Sequence, residues 1–97
     1  MLEEYKLILK PQEIPLNHPN SKYMFTTQPF LATPSAIDQY GKEIIIACLF
    51  YLQRQAILYR GLDYLQVFQD TTDRRSNLWF IDDGEGGAVT ALLPEEY

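Results

Sequence analysis

The feature that most constrains this chain is a long, largely apolar stretch in its middle, KEIIIACLFYLQRQAILYRG, over residues 42–61. No turn-forming residue interrupts it before Gly61. Many helices end with a basic residue in the last turn and a glycine cap, and Arg60 and Gly61 fit these two roles. The stretch therefore predicts a helix of about five turns. A strand is the alternative, because three successive isoleucines favour β-structure.

This helix would be apolar on more than one side. One stripe at helical spacing contains Ile45, Leu49, Leu52, Ala56 and Tyr59. The run 44–52, however, is apolar all round. A helix that packs on a sheet hides one side only, and an exposed apolar patch usually marks an interface. We therefore expect self-association as a homodimer, or binding of another protein.

Shorter elements are expected on both sides of this stretch. TPSAIDQYG predicts a short helix with Thr33 as N-cap, Pro34 at the first helical position and Gly41 as its end. EYKLILK alternates as a half-buried strand does, and YMFTTQPFL predicts an edge strand because Pro29 cannot donate to a central ladder. Towards the C-terminus, DYLQVF, NLWFI and GAVTALL are separated by polar turns and predict an antiparallel three-stranded meander.

Together these elements predict an α+β fold in a single domain, residues 1–97. One long apolar helix, with a short helix before it, would pack on an antiparallel sheet. Strand side chains alternate between faces. We expect the helix to cover the face formed by Leu65, Val67, Trp79, Ile81, Val89, Ala91 and Leu93. The other face would carry Tyr64, Phe68, Leu78, Phe80 and Leu92.

That second face is too apolar for a sheet surface in water. It is therefore covered either by the N-terminal strands or by another chain. From the second possibility we predict that Tyr64, Phe68 and Phe80 bind a protein partner. Arg74 and Arg75, at the tip of TTDRRSN, are further candidates because a guanidinium can grip a carboxylate or phosphate. A solvated loop compensated by neighbouring aspartates is the alternative.

The net charge of −5 lies entirely near the C-terminus. Residues 1–75 balance eight bases with eight acids, whereas residues 76–97 hold five acids and no base. This argues against a nucleic-acid partner, since such affinity comes mainly from clustered Lys and Arg. Glu95 and Glu96 are instead candidates for contacting a protein. An acidic inhibitor that imitates nucleic acid is an alternative function, although five carboxylates are few for it.

Catalytic and metal-binding patterns are weak. Asp82, Asp83 and Glu85 form an acidic turn that could serve a small hydrolase or hold a cation, but calcium loops space their acids over about a dozen residues. We predict a plain turn. The single histidine, His18, and the single cysteine, Cys48, provide neither a zinc site nor a Cys-His nucleophile pair. We expect a protein that is not an enzyme and needs no cofactor or metal.

The cellular location is expected to be cytoplasmic. A lone cysteine within an apolar run gives no disulfide framework, and the N-terminus MLEEYKLILK lacks the basic and apolar regions of a signal peptide. The longest apolar run, residues 44–52, is too short for a bilayer, which needs about 20 residues. No membrane association is predicted.

The C-terminal segment resembles the closing strands of a family of short uncharacterised bacterial proteins that are frequent on plasmids and other mobile elements. The positions that match its Leu-Trp-x-Ile and Thr-x-Leu-Leu-Pro-Glu-Glu-Tyr motifs are Leu78, Trp79, Ile81, Thr90, Leu92, Leu93, Pro94, Glu95, Glu96 and Tyr97. FLATPSAI is also similar to that family's entry into its first helix. The resemblance implies an accessory role in a mobile element and supplies no catalytic residue.

Overall fold

The architecture is one long helix packed on a five-stranded sheet, seen in a computed structural model that describes residues 2–97. The strands and helix are β1 (Leu7–Leu9), β2 (Phe30–Ala32), α1 (Pro34–Tyr59), β3 (Leu65–Asp70), β4 (Leu78–Asp82) and β5 (Val89–Leu92). Short 3-10 helices cover Glu3–Tyr5 and Pro94–Glu96. The predicted α+β class is confirmed.

The sheet has the strand order β1-β3-β4-β5-β2. Strands β3, β4 and β5 form the predicted antiparallel meander, and β1 extends it antiparallel to β3. Strand β2 instead runs parallel to β5, so the sheet is mixed. Parallel strands require a long crossover, and α1 provides it between β2 and β3. In the sheet, β4 and β5 then lie between β3 and β2.

Local sequence signals determine the course of α1. The Thr33 side chain accepts a hydrogen bond from the Ala36 amide at 3.1 Å, and Pro34 follows at the first helical position. Gly41 has φ 78° and ψ 154°, so it interrupts the helix with a kink where the short helix was predicted to end. Gly61 has φ +123°, and a Cβ there would clash with the backbone of the residues at 21 and 22.

For β3 and β4 the helix packs on the face opposite to the one predicted, whereas Val89 and Ala91 of β5 lie on the helix side as predicted. The buried side chains of that face are Phe68, Leu78, Phe80, Val89 and Ala91. The Phe68 ring lies 6.2 Å from that of Tyr51 on α1. The prediction that Trp79 and Ile81 face the helix is therefore wrong. Alternation shows which neighbours share a face of one strand, but not which of the two faces the helix covers.

The predicted faces also combined β5 with its neighbours in the wrong register. Trp79 pairs with Leu92, and Phe80 pairs with Ala91. Leu92 therefore lies on the face of Trp79, while Ala91 lies on the helix side with Phe80. A shift of one residue moves every side chain of a strand to the other face. The turn before β5 sets this register, and its polar sequence did not reveal it.

The N-terminal region contains less strand than predicted. The segment YMFTTQPFL forms a strand only at its end, in β2, and Tyr23 makes an isolated bridge to Leu62. Phe25 is nevertheless fully buried and belongs to the core. Side-chain burial therefore holds this segment on the domain without a continuous ladder. Within residues 2–97, no helix is long and apolar enough to cross a membrane.

Candidate functional site

Arg75 makes several contacts within the protein. Its Nε donates to Asp70 Oδ2 at 3.1 Å, and its Nη2 donates to the Tyr5 carbonyl at 3.0 Å. The Arg75 Cζ lies 4.3 Å from the centroid of the Tyr40 ring. These contacts fasten the loop between β3 and β4 to α1 and to the N-terminus. The partner-binding role of Arg75 stays a prediction, as does that of the exposed Arg74.

The Asp70 carboxylate is the centre of this loop. It is buried, and it accepts hydrogen bonds from the Thr72 amide, the Thr72 hydroxyl and the Arg75 amide. Burial by itself would raise the pKa of Asp70, but the hydrogen bonds from Thr72 and Arg75 outweigh it. They hold that pKa well below its ordinary value. Asp70 is thus a charged anchor that organises its own loop.

Two of the predicted partner-binding aromatic residues lie inside the protein. Phe68 and Phe80 are fully buried, and their rings contact each other edge to face at 5.6 Å. Their prediction as partner-binding residues is wrong, because their face of the sheet is the one that α1 covers. Tyr64 is exposed, beside Tyr23, and remains available.

The acidic C-terminus is used partly within the fold. Glu96 Oε1 accepts hydrogen bonds from the Thr33 hydroxyl at 2.7 Å and from the Leu93 amide at 2.8 Å. The hydrogen bond from the Leu93 amide lowers the pKa of Glu96 most, and the hydrogen bond from the Thr33 hydroxyl lowers it further. Glu95 Oε2 accepts from the Ser76 hydroxyl at 3.3 Å. Glu96 therefore ties the end of the chain to the N-cap of α1, although both carboxylates are on the surface.

The acidic turn contains one buried and two exposed carboxylates. Asp82 is buried, with Oδ2 accepting from the Phe25 amide at 3.1 Å and Oδ1 accepting from the Gly84 amide at 2.8 Å. Asp83 and Glu85 point to the surface. In the part of the chain that the structure describes, no group of three or more His, Cys, Asp or Glu side chains could hold a metal ion. Asp82 holds the turn against the N-terminal segment.

Cys48 is also unsuited to surface chemistry. It is buried on the side of α1 that faces the core. Burial raises the pKa of its thiol to about 12, with Arg75 acting in the opposite direction. The thiolate is the nucleophilic form of cysteine. Cys48 is therefore a core residue, as its position within an apolar run predicted.

Several large apolar side chains of α1 point away from the sheet and are exposed to solvent. Phe50 is 58% exposed, Ile57 69% and Leu58 66%, and Ile46 is exposed to a smaller extent. Arg54 lies among them. We call Ile46, Phe50, Arg54, Ile57 and Leu58 the outer face of α1. The opposite side of the helix is buried against the sheet.

A groove of about 870 Å³ runs along the outer face. The helix forms one wall, and Leu2 and Glu4 from the N-terminus lie on the other side. The only ion pair among residues 2–97 joins Arg75 and Asp70, so Arg54 and Glu4 form none. The groove thus combines apolar surface with uncompensated charges of both signs.

The exposed sheet face is covered in part by the chain itself. The ring of Tyr97 lies 5.4 Å from that of Trp79, and a hydrogen bond with Tyr97 raises the pKa of Tyr64. Leu92 and Ile81 on this face are nearly buried. Leu31, at the edge in β2, is exposed. The C-terminal tyrosine thus reduces the apolar surface on this side, while the outer face of α1 has no such cover.

The residues of the outer face were not among the predicted partner-binding residues. The signal was present, because residues 44–52 are apolar on every side and Ile57 and Leu58 continue the pattern. Sequence spacing shows that a helix has two apolar sides. It does not show which of them the sheet buries.

Comparison of the chain with protein-family models, with curated proteins and with solved structures gives no significant match. The resemblance to the plasmid-associated family stays a prediction based on the C-terminal motifs.

Proposed function

We propose that this chain is a small, acidic, non-enzymatic protein-binding accessory protein that binds through the outer face of α1. The observation that carries the proposal is the exposure of Phe50, Ile57 and Leu58 side by side on one ordered helix. Single exposed apolar side chains are common on proteins, but a contiguous patch usually serves an interface. Among residues 2–97, no other element covers these three side chains.

The free energy of burial supports this role. Complete burial of a Leu, Ile or Phe side chain contributes about 1.5–3 kcal/mol. Phe50, Ile57 and Leu58 each leave more than half of their surface in water, so a partner that covers them gains a large part of that amount per residue. A few such anchors supply most of the affinity in many interfaces.

The backbone of α1 is also ordered before a partner binds. Thr33 caps its start, and buried residues such as Ile45, Leu49 and Leu52 hold its inner side against the sheet. A partner therefore meets side chains on a backbone that is already ordered, which lowers the entropic cost of association. Anchors such as Ile46 and Phe50, one turn apart, suit the recognition of a helix in a groove.

An accessory role in a bacterial mobile element is the wider setting that we propose, based on the resemblance at the C-terminus. Two residues of that motif make contacts within this fold: Glu96 binds Thr33, and Tyr97 packs on Trp79. The motif therefore closes the domain in this chain. Such a role leaves the outer face of α1 free for the partner.

The alternative functions have less support. A hydrolase based on the acidic turn would need Asp82, whose two carboxylate oxygens already accept backbone hydrogen bonds. An inhibitor that imitates nucleic acid would need carboxylates spread over one surface. Asp82 is buried, and Glu96 accepts internal hydrogen bonds.

The proposal can be tested by photo-crosslinking in the cells that naturally produce the protein. A benzophenone amino acid replaces Phe50 or Ile57 in separate variants, and a matched control carries it at Glu85, on the exposed turn between β4 and β5. We expect discrete protein adducts from positions 50 and 57 and none from position 85. Equal labelling at all three positions would contradict binding through the outer face.

A further inference from the structure

We infer that the outer face of α1 binds the same face of a second copy of this chain, with the two helices antiparallel around a two-fold axis. The inference rests on the proposed function for the location of the interface, and it adds the identity of the partner and its orientation. Homo-oligomers with a two-fold axis place the same surface patch on both subunits, so the patch must complement itself.

The spacing along the outer face is that of a helix-pairing seam. Glu43, Ala47, Phe50, Arg54 and Ile57 follow one another at intervals of four, three, four and three residues. Heptad spacing of this kind lets two helices pack along their length, and here the seam holds apolar Ala47, Phe50 and Ile57 together with charged Glu43 and Arg54. Four of these side chains are exposed, and Ala47 is half-buried. The seam is therefore open to solvent in the single chain.

An antiparallel arrangement matches this seam to itself. When Phe50 lies opposite Arg54 of the second copy, Ala47 lies opposite Ile57. A small residue then meets a large one, and each contact occurs twice. An arginine over a phenylalanine ring is a favourable cation–π pair. Phe50 and Ile57 are covered in this register, and Ile46 and Leu58 flank them on either side of the seam.

The charges favour this orientation over the parallel one. A parallel two-fold pair would place Arg54 against Arg54 of the second copy and Glu43 against its own equivalent. Like charges that face each other across an interface are unfavourable. In the antiparallel register Arg54 faces Phe50, and Glu43 lies near the end of the second helix, where the exposed Arg60 is located. The exposed Lys42 lies beside Glu43, so this end carries charges of both signs, and Arg54 is the residue that distinguishes the two orientations.

The size of the interface indicates a weak dimer. Two outer faces together bury on the order of 1,000 Å² of surface, which is at the lower end for specific interfaces. We therefore expect dissociation in the micromolar range rather than a permanent assembly. The dimer remains compatible with exchange for another protein at the same face.

Light scattering and cysteine cross-linking test the inference. The unmodified chain should show about twice its mass of 11.3 kDa at high micromolar concentration. The double variant F50E/I57E should be monomeric with an unchanged thermal melt, because both residues are exposed. The matched control N17E/T26E, which adds two charges at exposed positions away from α1, should remain dimeric.

Orientation is tested under mild oxidation with Ala47→Cys and Ile57→Cys. The double variant should form disulfide-linked dimers, while each single variant should form few. Efficient cross-linking of the single variants, or none of the double variant, would overturn the antiparallel register. The native Cys48 is buried and should not contribute, as the unmodified chain will show.

The two proposals fail in different ways. If the chain is monomeric at every concentration but positions 50 and 57 still photo-crosslink to a different protein, the self-association is wrong and the proposed function stands. If the chain is monomeric and neither position gives adducts, both are wrong.

Discussion

The Cζ atom of Arg75 lies 4.3 Å from the centroid of the Tyr40 ring, which places a charged side chain from the β3–β4 loop against the first part of α1. The same guanidinium binds Asp70, which is buried at the end of β3. The Tyr40 hydroxyl donates to the Ser76 carbonyl, just after Arg75. This cluster joins the helix, the sheet and the β3–β4 loop, so its residues should affect stability rather than binding.

Replacement of Arg75 by Met should destabilise the fold by about 2–4 kcal/mol, because it leaves the buried Asp70 carboxylate without its cation. Chemical denaturation measures the free energy of unfolding. Arg74→Met is the matched control, since Arg74 is exposed, and it should change stability by less than about 0.5 kcal/mol. Equal effects of the two variants would show that the Arg75 contacts do not stabilise the fold.

The stability of the protein should fall in acid partly through Asp70. The pKa of Asp70 is lower in the folded chain than in the unfolded chain, so the folded state favours the charged form. This contribution is present above the ordinary aspartate pKa of about 3.9 and is lost as the pH falls from there towards the folded pKa. Between about pH 5 and pH 2, the free energy of unfolding should change less with pH for Asp70→Asn than for the unmodified chain. Parallel curves would mean that Asp70 does not titrate as described.

Removal of residues 92–97 should abolish cooperative folding. Leu92 and Leu93 are both buried, and their loss costs about 3–6 kcal/mol by transfer energies, a large share of the stability of a domain of this size. The double variant E95Q/E96Q is the control, because glutamine can still accept the hydrogen bonds from Thr33 and Leu93. Its melt should be nearly unchanged. A truncated chain that melts like the full one would refute the role of β5 in closing the sheet.

The acidic turn should bind no metal ion that stabilises the fold. Thermal melts with EDTA, calcium and magnesium should agree within error, since any ligand that binds the native state raises its stability. Asp82 already accepts two backbone hydrogen bonds, which leaves Asp83 and Glu85 as exposed single carboxylates. A calcium-dependent rise of several degrees, lost in D83N, would reverse this prediction.

Local signals made much of the fold predictable. Thr33, Pro34 and Gly41 each take the position in α1 that their chemistry favours, and the polar turns separate the strands of the meander. Each of these signals acts within a few residues of chain. The fold class followed from their order along the sequence.

The site was less predictable because it depends on contacts between distant residues. Thr33 and Glu96 are 63 positions apart and still share a hydrogen bond. Phe68 and Phe80 were assigned to a partner because their alternation fits either face of a sheet. Only the position of α1 decides which face is inside. Because α1 packs on that face with its other side, Phe50 and Ile57 stay exposed to solvent.

Methyl NMR with a soluble paramagnetic agent tests most directly whether the outer face of α1 is an interface. At high micromolar concentration, the methyl groups of Ile57 and Leu58 should be protected like those of the buried Leu52, while the exposed Leu31 on the sheet edge stays accessible. Dilution, or the substitution Phe50→Glu, should make Ile57 and Leu58 accessible again. If these two residues are as accessible as Leu31 at every concentration, the outer face is free surface and the self-association account is wrong.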